Sequence, residues 1–287
     1  MKSLKQRVKG LMFKFDINNS TGKWEKHPYT LDYEDYKYRQ DELIRIIRDS
    51  IINFALTESE ISIMKESNNF GEMSRKAWSR ISKAKKDKKG DFGELLLFLM
   101  LVVFFPTQKF VTKVRLRSSV KDQIKGFDCA HFSVENNDIY LWLGEAKFHS
   151  TFSNAIAGAM ESIKEHCAID YLKDEISILA SNLEINNEFE HHDKIDKVLN
   201  GGVSLDKIKI KLPILLTYDC KILKNYCDIE DEEFKNELEA EFRKRFDSIE
   251  AHNLSIKNNI ELIFIILPLE SVKDIKDQLD KIEEVNR

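Results

Sequence analysis

The chain has 287 residues, 42% of them hydrophobic and 33% charged, with a formal net charge of −4. That length can bury a full core, which excludes a disordered chain, and the charge balance excludes an indiscriminately basic polyanion binder. The longest apolar run, Leu95–Phe105, covers eleven residues, short of the roughly 20 that a membrane-spanning helix needs.

The basic opening, Met1–Gly10, leads into no apolar run of export-signal length. A cytoplasmic protein without membrane contact is therefore expected, with Cys129, Cys167, Cys220 and Cys227 as free thiols. Gly10–Asp16 and the polar stretch Asn18–Gly22 predict a β-hairpin. Leu43, Ile46, Ile47, Ile51, Phe54 and Ala55 recur at three- and four-residue spacing and predict a helix over roughly 32–67. A shorter helix follows around 72–86. Residues 1–86 are expected to form an N-terminal accessory region that carries no assigned chemistry.

Gly90-Asp91 opens an apolar helix that runs through Phe104, where Pro106 ends it. Being apolar nearly all round, it should be buried on most sides. Lys109–Leu116 then reads as a strand with one basic face. Fourteen Lys and Arg stand against four acids between Arg75 and Lys125. This local excess makes Lys113, Arg115, Arg117 and Lys125 candidate nucleic-acid phosphate contacts, against the plainer reading of a solvated lysine-rich loop at 83–89.

Two strand-like runs between Lys125 and Lys147 flank Asn136-Asn137, a pair that tolerates the backbone of a tight hairpin turn. A two-residue turn there pairs Glu135 with Asp138 and sets Asp128 across from Glu145. Lys147 shares the face of Glu145, because strand side chains alternate. Beyond the hairpin the pattern predicts a long helix over 153–179, an acidic loop over 182–202 and a buried strand over 208–218. An acidic helix over 228–251, an apolar strand over 260–267 and a final helix over 271–285 follow. Such an order gives an α/β fold with helices on both faces of one sheet. Residues 87–225 form its core, and 226–287 a helix-strand-helix extension packed on the same sheet.

Acid-any-lysine triplets occur six times, so the triplet alone decides nothing. Glu145–Lys147 and Asp219–Lys221 end apolar strands, and Glu145 alone also has an acid set against it on a neighbouring strand. Two carboxylates a few ångströms apart repel unless a cation neutralises them. Oxygen ligands suit Mg2+ or Mn2+, which polarises a phosphoryl oxygen and lowers the pKa of a bound water. Lys147 can orient that water or offset developing charge. Metal-assisted phosphodiester hydrolysis is the chemistry implied. A surface ion pair is the plain alternative. His191-His192 with Cys220 and Cys227 lacks zinc-ligand spacing, and no Walker A pattern is present.

Glu94 in a helix, Gly126-Phe127-Asp128 on one strand and Gly144-Glu145-Ala146-Lys147 on the next resemble the PD-(D/E)xK nuclease superfamily. The resemblance implies a restriction-endonuclease-like mixed β-sheet flanked by helices. It also implies that Asp128 and Glu145 bind Mg2+, that Lys147 assists the attacking water, that Glu94 joins the site and that Ala146 lends its carbonyl to the metal. No proline precedes Asp128. The helix after Lys147 lacks the glutamine of some branches, a position for which His149 and Asn154 are candidates. These motifs span Gly90 to Asp219, under half of the chain.

Gly90-Asp-Phe-Gly-Glu94 before a hydrophobic helix, with Gly144-Glu-Ala-Lys-Phe148 before a Ser/Ala-rich one, is more narrowly similar to HamA, the nuclease subunit of the Hachiman anti-phage system. This implies DNA as substrate, a helicase partner (HamB) in a heterocomplex, and activity held in check until infection. The acidic helix Asp228–Glu241 is a candidate docking face for that partner, against a solvated helix. A non-catalytic, nuclease-like DNA-binding or regulatory subunit and a stand-alone restriction endonuclease are the alternatives.

Overall fold

A computed structural model describes residues 1–17, 22–81, 90–112, 126–181, 191–200 and 202–286. Helix α1 (Lys2–Lys9) buries Leu4 and Val8, and β1 (Met12–Lys14) pairs antiparallel with β2 (Glu25–Leu31) as Met12↔Leu31. The hairpin expected here is thus present, with part of its turn outside the described residues and an unforeseen helix before it.

The helix expected over 32–67 is instead two short strands and two helices. A small hairpin of β3 (Tyr33–Glu34) and β4 (Lys37–Tyr38) precedes α2 (Gln40–Ala55) and α3 (Glu58–Glu66). The break has a local cause: Thr57 accepts from the Glu60 N–H, and the Glu60 carboxylate accepts from the Thr57 N–H. This reciprocal cap starts a new helix, although the apolar spacing runs on across it. Helix α4 (Phe70–Ser79) buries Met73, Ala77 and Trp78.

Helix α5 (Asp91–Phe104) is buried along almost its whole length, as its apolar run requires. Strand β5 (Gln108–Thr112) follows, and the rest of the expected strand lies outside the described residues. After β6 (Cys129–Glu135) and β7 (Asp138–Phe148), the single long helix expected is two, α6 (Phe152–His166) and α7 (Ile169–Ser181). The stretch expected as an acidic loop contains α8 (His192–Leu199). Strand β8 (Lys209–Asp219), α9 (Glu232–Glu250), β9 (Ile260–Leu269) and α10 (Val272–Asn286) complete the chain as the pattern foretold.

Seven strands form one mixed sheet in the order β1-β2-β9-β8-β7-β6-β5. Strands β2, β9, β8 and β7 run parallel, and the pairs toward both edges are antiparallel. The near-continuous apolar runs of β8 and β9 fit strands covered on both faces. Helix α5 lies on one face, where Gly93 meets the Phe148 side chain and Gly144 meets Leu97. Helix α6 lies on the other, where Gly158 and Ser162 meet Lys147. Together they enclose the end of β7.

Candidate functional site

The hairpin that carries the candidate residues is set by its turn. Asn136 and Asn137 take φ of 50° and 69°, the left-handed pair that matches the twist of two-residue hairpins. The register is the expected one, from Glu135↔Asp138 to Cys129↔Gly144. Cys129 and Gly144 face α5, so Glu145 and Lys147 face α6.

On that face Lys147 Nζ donates to Glu145 Oε1 at 2.6 Å and to Ser162 Oγ at 2.8 Å. Glu145 Oε2 lies 3.6 Å from His166 Nδ1. The His166 ring stacks on Tyr171 and meets the ring of Phe127 edge-on, which closes the site on one side with aromatic surface. His149 and Asn154, expected near the site, are exposed. The α6 positions that reach the pair are Ser162 and His166, which sequence reasoning missed. Their four-residue spacing places them on one helical stripe with Gly158, but no local signal says which stripe of α6 meets β7.

Asp128 departs from the expected pairing. The ladder ends at Cys129↔Gly144, and the Asp128 N–H donates to the Gly144 carbonyl at 2.9 Å. Its carboxylate Oδ2 accepts from the Ala146 N–H at 2.8 Å. Strand N–H groups point in the plane of the sheet toward their neighbours, so this carboxylate stands where β6 would have continued, rather than directly across the face from Glu145. The peptide it grips joins Glu145 to Ala146.

Glu94 comes from the α5 side. Phe98 packs against His131 of β6, and Glu94, one turn earlier on the same side of α5, overlies the start of that strand. The electrostatics of Cys129 register the gathering. Burial pushes its thiol pKa up, and the carboxylates of Asp128, Glu94 and Glu145 push it further. Glu94, Asp128 and Glu145 are each buried.

A family model described as HamA matches residues 11–282. The chain belongs to the HamA family. No curated protein matches it. Membership marks a protein of Hachiman anti-phage defence. The HamA match takes in α2 to α4 before Gly90 and β9 after Asp219, well beyond the nuclease-like motifs.

In this HamA chain the competing triplet has a structural role: Asp219 Oδ1 accepts from the Val272 N–H at 2.7 Å, at the start of α10. The four cysteines are free thiols. Among the described residues no three His, Cys, Asp or Glu side chains stand close enough to hold a metal ion, and no helix is long and apolar enough to cross a membrane. Mg2+, however, usually binds through one or two carboxylates and keeps several waters. The all-oxygen pair of Asp128 and Glu145, at one peptide of β7, fits that habit. Lys113, Arg115, Arg117 and Lys125 lie outside the described residues.

Proposed function

We propose that this HamA-family chain is a metal-dependent DNA endonuclease, the effector subunit of an anti-phage complex with a HamB-like helicase. One observation carries the reading: a Lys147–Glu145 ion pair at the buried end of β7, with the Asp128 carboxylate bound to the adjoining Ala146 N–H.

Mg2+ or Mn2+ held by Asp128 and Glu145, with the Ala146 carbonyl and Glu94 as further ligands, would supply Lewis acidity at the scissile phosphate. Lys147 does the rest of the polar work. An ammonium has three N–H donors, and two are engaged by Glu145 and Ser162. The third can orient an attacking water or offset charge developing on the phosphate. Lys113, Arg115, Arg117 and Lys125 would hold the DNA backbone, which makes binding salt-dependent.

The test is cleavage of linear and circular DNA with Mg2+ by the chain together with its helicase partner. Glu145→Ala and Lys147→Ala should each lower the rate by about 100-fold or more, whereas Asp219→Ala leaves it intact. Undiminished cutting by both site variants would refute the assignment.

A second reading, a nuclease-like subunit that binds DNA without cutting it, is favoured by the lack of three close metal-ligating side chains among the described residues. It predicts that both variants preserve defence while charge reversal at Lys113, Arg115 and Arg117 abolishes it.

A further inference from the structure

We infer that one stripe of α6, Gly158–Ser162–His166, positions the Lys147–Glu145 pair, with Ser162 as the positioning residue for the Lys147 ammonium. The three are four residues apart and so lie one above another on a helix. Each meets a different part of the pair. A Cβ on Gly158 would stand 3.5 Å from Lys147 Cδ and Cε, ordinary contact distance, so the lysine stem lies directly over this glycine. Ser162 Oγ accepts from Nζ at 2.8 Å. His166 Nδ1 faces the Glu145 oxygen that Lys147 does not use, at 3.6 Å.

A lysine has four rotatable side-chain bonds and loses much rotamer freedom when fixed. Its carboxylate partner alone does not define where the third N–H points. Two acceptors on different elements, Glu145 on β7 and Ser162 on α6, restrict that direction. The stem passes over Gly158, where a larger side chain would fill the space it occupies. Ser162 therefore acts through Lys147 and needs no contact with DNA.

The catalytic consequence rests on the nuclease reading, whereas the positioning does not. Two measurements separate them. In 15N-lysine NMR of the full chain, a Lys147 ammonium held by two acceptors gives a slowly exchanging signal, identified by its loss in Lys147→Ala. Ser162→Ala should abolish that slow exchange, and Ser162→Thr, which keeps a hydroxyl, should restore it. In DNA cleavage with the helicase partner, Ser162→Ala should lower the turnover rate about 10- to 100-fold without weakening DNA binding, and Ser162→Thr should recover most of the rate. Gly158→Leu, whose side chain would enter the space of the Lys147 stem, should displace it and mimic Ser162→Ala in both readouts.

An unchanged ammonium signal in Ser162→Ala overturns the positioning role, even if Glu145→Ala and Lys147→Ala abolish cleavage. A signal lost in Ser162→Ala and restored in Ser162→Thr supports it, even if the wild-type complex cuts no DNA and the nuclease reading falls.

Discussion

Lys147 Nζ lies 2.6 Å from Glu145 Oε1, with the two side chains 18% and 7% exposed. Removing one partner of such a pair leaves the other charge buried and uncompensated, which costs about 3 kcal/mol or more. Glu145→Gln and Lys147→Met should each lower the unfolding free energy by that order. The double variant should recover most of the loss, because two neutral side chains leave no stranded charge. Urea unfolding of the four proteins measures the coupling, and strictly additive losses would mean that the pair does not interact.

The close approach of α5 to β7 depends on two glycines. A Cβ at Gly144 would stand 2.7 Å from Cys129 Sγ and 2.8 Å from Leu97 Cδ2, and one at Gly93 would stand 2.8 Å from Phe148 Cβ. None of these atoms is the free end of a long chain. Gly144→Ala and Gly93→Ala should each destabilise by about 1–3 kcal/mol and push Glu94 away from β6, lowering any activity with it. Gly71→Ala is the control: it sits on α4 with nothing within 4 Å, so its melting temperature should hold or rise slightly.

The left-handed turn at Asn136 and Asn137 predicts a simple contrast. Asn136→Val forces a β-branched residue to φ near 50° and should cost about 1–2 kcal/mol. Asn137→Gly should be neutral or mildly stabilising. Thermal denaturation distinguishes them; equal melting temperatures would contradict the turn assignment.

His131 makes stability depend on acid. Complete burial, with Lys109 adding to it, lowers its pKa to about 3, and its Nδ1 lies 3.0 Å from Thr107 Oγ1. The unfolded chain takes up this proton near pH 6.5, whereas the folded chain resists it down to about pH 3. Stability from the neutral ring is therefore complete above about pH 6.5 and lost progressively below it, by up to about 5 kcal/mol once the folded ring is also protonated. Urea midpoints for His131→Phe between pH 4 and 7 should fall less steeply than for the wild type.

Much of this was legible in the residues because its causes are local. Asn136-Asn137 admits a two-residue turn, and period-two alternation then fixes Cys129↔Gly144 and puts Glu145 and Lys147 on one face. The run Leu95–Val103 can only be a buried helix. The cap at Thr57 was equally local, yet it was masked by apolar spacing that continues from α2 into α3. The helix break at Cys167 and the helix His192–Leu199 escaped for a related reason: periodicity marks a buried face better than it marks an end.

The amino-acid order by itself therefore settles the strand register, the shared face of Glu145 and Lys147, and the α/β class. Each follows from bonds and alternation within a few residues. The tertiary structure alone decides three things. Asp128 leaves the ladder to hold the Ala146 N–H, Glu94 overlies the start of β6, and Ser162 with His166 meets the pair where His149 and Asn154 stay exposed. These depend on how each helix is rotated and laid across the sheet. That rotation is set by contacts between residues far apart in the chain, Gly93 on Phe148 and Leu97 on Gly144 among them, which no local period encodes.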